Sequence, residues 1–250
     1  VFERIVAAFR LLRMQAILRR VPGPGSFLDV GCGRGLLPAL FLERGWRASG
    51  TQLSRTAAEA ARRRYGVEVA VGELPELPLP AEGYDVVTFF HVLEHLDRPE
   101  AYLVKARELL VPAGLLVVEV PNFASPGFRI LGTRNFCTDY PNHLVFFTPD
   151  TLRRLLLRCG FSVDAVSHFS LEYSPYTTLQ NLLNLLPGEP GRLYKALMGN
   201  EEGKRLRRSP VTWIHAILAC ALALPAFLIS LAGTVLPVGN TMRFYCRKSP

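Results

Sequence analysis

Three glycines alternate with other residues in Phe27-Leu28-Asp29-Val30-Gly31-Cys32-Gly33-Arg34-Gly35, directly after a short apolar run. Lacking a Cβ, glycine lets backbone N–H groups approach a ligand closely, and at a strand-to-helix turn those groups suit an anionic or polar cofactor. About twenty residues on, where nucleotide-binding folds usually place an acid for a ribose, the chain has Gln52. Its amide both accepts and donates, whereas a carboxylate only accepts. His91, Glu94 and His95 are spaced i, i+3 and i+4, which puts them on one side of a helical turn. His143 lies in a long connection rich in turn residues, 121–147. Histidine has an ordinary pKa near 6.5, so each of these three can take a proton at neutral pH.

The elements that must position these residues follow from periodicity. Apolar runs at SFLDV, WRASGT, VEVAVG, YDVVTFF, GLLVVEVP and FSVDAVSHF read as buried strands, and TMRFYCRK as a last one. Helical patterns fall between them at 36–44, 54–66, 98–110 and 148–159, the second with Ser54 as N-cap and Gly66 as stop. Alternating strands and helices predict an α/β fold: a doubly wound, mostly parallel seven-stranded sheet, with a helical hydrophobic insertion before the last strand. Residues 1–21 read as an amphipathic, basic docking helix without the order of a secretory signal. The organisation expected is that helix, a core over 22–170, an insertion over 171–239 and a closing strand over 240–250.

Composition narrows the function classes. At 250 residues and 49% hydrophobic, the chain can bury one full core. The net charge of +8 comes from separate local clusters, with no aromatic-interleaved basic repeat, which argues against nucleic acid as a partner. Five widely spaced cysteines without a Cys-x-x-Cys pair point to a reducing cytoplasm and to no structural zinc.

From Ser209 to Met242 the chain has no Asp, Glu, Lys or Arg. Pro225 divides this run into two pieces, each about 20 Å long as a helix and too short to cross a bilayer alone. The expectation is a hairpin in one leaflet at the inner face of the membrane. Lys204, Arg205, Arg207 and Arg208 would meet anionic headgroups, so that residues 204–238 form the membrane-contacting part. A hydrophobic lid or dimer surface is the other reading of the same run.

The string from Asp29 to Gly35, an acid followed by Gly-x-Gly-x-Gly, resembles the first motif of the class I S-adenosylmethionine-dependent methyltransferases. GELPELPLPAEGYDVVTFFHVLEHL is similar to the next stretch of that family, in the branch that includes the ubiquinone-biosynthesis O-methyltransferase. LLVPAGLLVVEVPN resembles its fifth strand, and PNHLVFFTPDTLRRLLLRCGF the segment leading into its sixth. The resemblance covers roughly 22–170 and the final strand, which in that family lies antiparallel between strands five and six.

The resemblance implies S-adenosylmethionine as cofactor. Gly31, Cys32, Gly33 and Gly35 would support its methionine and sugar, with Asp29 acting through the turn or on the methionine amine. Gln52 would face the ribose, Glu73 would accept from the adenine amino group, Leu74 would donate its N–H, and His91 would sit beside the sulfonium. In the ubiquinone branch the positions of His91, Glu94 and His95 hold magnesium, with acids at the first two. His91 is a poor magnesium ligand, so no metal is expected. Methyl transfer is an in-line displacement that needs alignment and, for an oxygen or nitrogen acceptor, a base. His143 is the first candidate, ahead of His91 and His95, with Tyr140 and Asn142 beside it to orient a small acceptor. The apolar insertion suggests that this acceptor is lipophilic and oxygen-methylated. Two rival readings are an NADP-dependent oxidoreductase, against which the Gly-x-Gly-x-Gly spacing counts, and a non-catalytic membrane-associated protein with the same fold.

Overall fold

The computed structural model describes residues 2–236 and 238–249. In chain order the elements are α1 (Phe2–Leu18), β1 (Ser26–Val30), α2 (Leu36–Leu42), β2 (Arg47–Gln52), α3 (Arg55–Tyr65), β3 (Glu68–Val71), β4 (Tyr84–Phe90), α4 (Pro99–Leu109) and β5 (Leu110–Pro121). They continue with α5 (Pro126–Leu131), α6 (Pro149–Arg158), β6 (Phe161–Ser167), α7 (Ser174–Leu183), α8 (Arg192–Leu197), α9 (Glu201–Arg207), α10 (Pro210–Val235) and β7 (Thr241–Lys248). The strands form one seven-stranded sheet in the order β3-β2-β1-β4-β5-β7-β6, with β7 antiparallel. Pairing is parallel from β3 through β5, with Val30 beside Thr51 and Phe89 and with Gln52 beside Val71.

Local chemistry accounts for the element ends. The Ser54 Oγ accepts the Ala57 N–H at 3.3 Å and starts α3, and Gly66, with φ +67°, ends it in the left-handed region that glycine adopts without strain. β5 begins four residues earlier than the apolar pattern suggests, because Leu110 already pairs with Tyr84 before an irregularity in the ladder.

The chain divides into two compact units. The first comprises residues 1–120, 150–166 and 243–250 and carries the sheet's core. There Phe27 stacks on Phe41 with ring centroids 3.9 Å apart, and Trp46 meets Phe41 edge-on. Val86, Leu115, Val117 and Tyr245 close around them, and Met14 and Ile17 bring α1 into the same cluster. Burying such side chains is the main favourable term in folding.

The second unit comprises residues 121–149 and 167–242, so the long connection after β5 groups with the insertion and not with the sheet. Within it α7 packs on α10, and the Thr178 and Ser230 hydroxyls bond at 2.8 Å. Arg134 donates to the carbonyls of Asn184 and Leu186, and the Asn184 amide returns a bond to the Arg134 carbonyl at 2.7 Å. The apolar run does not form the expected two-piece hairpin: α10 is one helix of 26 residues with Pro225 inside it. Proline there loses one backbone bond and crowds the preceding turn, a cost of about 3 kcal/mol. The Ala- and Leu-rich sequence on both sides has the propensity to continue the helix through it.

Candidate functional site

The glycine turn leaves β1 and enters α2, and Gly31, Gly33 and Gly35 all have positive φ. The three differ in what surrounds them. A Cβ on Gly31 would meet Val92 Cγ2 at 2.7 Å, and one on Gly35 would meet the Cβ of Ala61 at 2.7 Å, so these two are needed for protein packing. Gly33 has nothing within 4 Å of where its Cβ would stand and faces open space. Gly33 is therefore where a ligand can approach the backbone. Cys32 is buried, and its N–H donates to the Thr51 carbonyl at 3.1 Å. Burial first, and the charge of Asp29 second, push its thiol up to about 12, so it stays neutral. Its side chain fills the place that a Cβ on Gly50 would take, 2.7 Å from Cys32 Cβ, so β2 must have glycine there.

Asp29 is buried at the end of β1, where Thr88 Oγ1 donates to its Oδ1 at 2.6 Å. Burial raises its carboxyl to about 6, against the lowering effect of the Thr88 bond and of Arg10 and Arg13. Gln52 ends β2, and its Oε1 accepts the Leu53 N–H at 2.8 Å. That bond orients the amide, with its NH₂ left as the donor end. Glu73 caps a single 3₁₀ turn, Leu74–Glu76, and lies 3.7 Å from Arg98 Nη2. Both side chains are largely exposed, so this contact is weak and leaves the carboxylate available to a ligand. Leu74 is fully buried and anchors the turn.

His91 follows β4 with φ +56°, a backbone conformation that non-glycine residues seldom adopt. Its N–H donates to the Glu119 carbonyl at 2.8 Å, its Nδ1 lies 3.1 Å from Glu94 Oε1 and its Nε2 3.2 Å from Glu119 Oε1. Glu119 also accepts from Arg13 Nη2 at 2.7 Å and from Arg243 Nε at 2.6 Å. Burial would raise the Glu119 carboxyl, but Arg243, Arg13 and then His91 hold it well below the usual range. Burial would likewise lower His91, yet its bonds to Glu119 and Glu94 and their charges raise it to about 9. The Arg13 guanidinium lies 4.2 Å from the centroid of Phe90, which adds a cation–π contact beside the pair.

This network bears on His91 as a base candidate: its bonds to Glu119 and Glu94 and their charges raise its pKa, which favours the protonated ring and disfavours proton abstraction by it at neutral pH. At the magnesium positions of the ubiquinone branch, both His91 nitrogens and Glu94 Oε1 face one another and Glu119, while Glu94 Oε2 is buried and makes no hydrogen bond among the described residues. His95 is exposed, in the 3₁₀ turn Leu93–His95. His143 belongs to the second unit, and its Nδ1 is 2.8 Å from the Cys137 carbonyl. A carbonyl only accepts, so Nδ1 has the proton and the lone pair of the neutral ring is on Nε2.

The sequence reading missed Thr88, Arg13, Glu119 and Arg243. One signal was available for Glu119, an acid inside the apolar run LLVVEVP. A buried strand tolerates a charge only when it is paired.

The glycine turn with open space at Gly33, acceptors at the ends of β1 and β3, an amide at the end of β2 and an antiparallel last strand together define a methyltransferase architecture for a nucleoside cofactor. The methyltransferase domain family matches residues 6–166, and the chain belongs to it, as a class I S-adenosylmethionine-dependent methyltransferase. It is 30% identical over 190 residues to the ubiquinone biosynthesis O-methyltransferase of Caulobacter sp. (strain K31), covering 66% of this chain and 73% of that one. Among solved structures, a SAM-dependent methyltransferase from Thermotoga maritima is 26% identical with a TM-score of 0.52, covering 66% of this chain and 78% of the other. The Burkholderia thailandensis 1,6-didemethyltoxoflavin-N1-methyltransferase, solved with S-adenosylhomocysteine, superposes with a TM-score of 0.56 at 17% identity and shares the fold, over 97% of this chain and 79% of its own. The protein is an enzyme that uses S-adenosylmethionine, which excludes the oxidoreductase and non-catalytic readings.

Proposed function

We propose that the enzyme methylates an oxygen of a small lipophilic acceptor, with His143 as the base. The observation that carries the base assignment is the His143 Nδ1–H bond to the Cys137 carbonyl, which puts the basic lone pair on Nε2. The carboxylates of Glu119 and Glu94 raise the pKa of His91 and favour its protonated ring, which disfavours it for this role. S-adenosylmethionine supplies an electrophilic methyl group. The chain's own part would be to hold it on Gly33, Gln52 and Glu73, with Asp29 buried beside Thr88 and Leu74 anchoring the turn after β3. His143 Nε2 would accept the acceptor's hydroxyl proton as its oxygen takes the methyl group and the bond from that methyl to the sulfonium breaks, leaving a neutral thioether. Tyr140 and Asn142 adjoin the base in sequence and orient the acceptor.

The acceptor is read as lipophilic because the second unit exposes one long apolar helix, α10. Residues 204–238 then contact an anionic membrane at its cytoplasmic face. A His143→Ala enzyme should bind cofactor normally and lose 10²- to 10⁴-fold in turnover at pH 7, the usual contribution of a general base. Normal cofactor binding with full turnover would eliminate the base role.

A further inference from the structure

We propose that α10 lies in the plane of an anionic bilayer as a one-leaflet anchor and does not cross it. The proposal rests on the membrane reading of residues 204–238. By length alone α10 could cross, since its 26 residues reach about 39 Å against a hydrocarbon core of about 30 Å. The distribution of its side chains decides otherwise.

Along α10 the side chains turned into the second unit are small or polar: Thr212, His215, Ala226, Ser230 and Gly233 are buried. The large apolar ones point away. Trp213, Ile217, Leu224, Leu228 and Val235 are 56–81% exposed. At 100° per residue these five fall within a band of about 60°, opposite the buried stripe, and the ridge runs nearly the whole helix. The facing helix α7 also buries polar side chains, Ser174, Thr177, Thr178, Gln180 and Asn181, together with Leu183. Polar groups inside and large apolar groups outside reverse the usual order of a helix in water. Hydrocarbon is the surrounding that satisfies such a ridge, and an exposed patch of this kind marks a contact site.

Both ends of α10 are fastened to the same unit. Near its start, Arg192 Nη1 donates to Thr212 Oγ1 at 3.4 Å. Near its end, Ser230 bonds Thr178, and Gly233 packs so closely that a Cβ would lie 3.3 Å from the Gly239 Cα. A crossing α10 would drag α7 and the Arg192–Glu189 pair, at 3.4 Å, into the bilayer with it. An in-plane helix leaves them on the water side.

Charge at the start of the helix names the surface. Arg205 and Arg208 are exposed, eight and five residues before Trp213 in the chain, and tryptophan is the residue type that settles at headgroup depth. The other charges of this segment are engaged locally: Lys204 with Glu201 at 2.6 Å, Glu202 with Lys195 at 3.7 Å, and Arg207 with the Ala196 carbonyl at 2.8 Å. A second copy of the chain would need a polar rim around the ridge, and none of residues 209–242 is charged.

The test uses the full chain and vesicles of phosphatidylcholine with one quarter phosphatidylglycerol. Cosedimentation is expected, with at least a tenfold loss on pure phosphatidylcholine and in an Ile217→Asp, Leu224→Asp, Leu228→Asp variant. That variant should keep its thermal transition and its S-adenosylmethionine affinity. Spin labels on Ile217→Cys, Leu224→Cys and Val235→Cys should then report the same depth. Depths graded by about 1.5 Å per residue along the helix would overturn the in-plane seat while leaving the membrane reading intact. No cosedimentation on anionic vesicles would overturn both. Concentration-dependent dimers dissolved by the triple variant, again without vesicle binding, would assign the ridge to a second copy.

Discussion

Replacing Glu119 by glutamine removes one buried charge from among three cations while conserving volume. Arg13 and Arg243 bond both carboxylate oxygens, and His91 Nε2 shares the first. Removing one member of a buried ion pair costs about 3–5 kcal/mol, because the partners remain desolvated. The lower end applies here, since the glutamine amide oxygen still accepts one bond. His91 adds a pH signature. Its folded pKa is raised to about 9 from an ordinary 6.5, so its contribution is complete below pH 6.5 and is lost as pH rises through 9. At 1.36 kcal/mol per unit that contribution is about 3 kcal/mol, and it overlaps with the first figure because both count the His91–Glu119 contact. The chain has two tryptophans, so in a Trp213→Phe background the buried Trp46 reports unfolding of the first unit alone. Urea titrations at pH 6.5 and 9.5 should show Glu119→Gln less stable by about 3 kcal/mol at the lower pH, with a smaller loss between the two. A difference below about 1 kcal/mol, with the pH dependence unchanged, would show that Glu119 is not the organising charge.

Three further outcomes follow from the cofactor cradle. A Gln52→Glu enzyme should bind S-adenosylmethionine about tenfold more tightly by calorimetry, through the gain of a charge-assisted bond to a ribose hydroxyl; equal or weaker binding argues against that placement. Gly50→Ala should abolish cofactor binding, because the new methyl group displaces Cys32, and a second change, Cys32→Gly, should restore it; a Gly50→Ala protein that binds normally would refute the packing argument. Asp29, raised to about 6, makes the folded protein hold a proton that the unfolded chain releases nearer 4, so it subtracts stability as pH rises from 4 to 6. Asp29→Asn should flatten the measured stability over that window and weaken cofactor binding, and an unchanged slope would count against the burial of this acid.

Much of the first unit was legible in the residue pattern. Ser54 and Gly66 bound α3 as caps, and the glycine turn falls between β1 and α2, because caps, turns and apolar runs act over a few residues. The positions of Gln52 at the end of β2 and Glu73 after β3 could likewise be counted along the chain. The role of His91 could not. Its partner Glu119 is 28 residues away, and the arginines that hold Glu119 are more than 100 residues from it on either side, in α1 and β7. The same limit applied to α10, where Pro225 suggested a break by a local rule.

The sequence by itself thus determined the strand and helix order, the glycine turn, the membership of the methyltransferases and the apolar character of residues 209–242, all properties of local pattern. Tertiary structure alone decided that His91 stands between two carboxylates that raise its pKa, that Gly33 faces open space while Gly31 and Gly35 serve packing, and that α10 turns its large side chains outward. Charge state, free volume and exposure depend on what the fold places around a residue, and those neighbours come from distant parts of the chain.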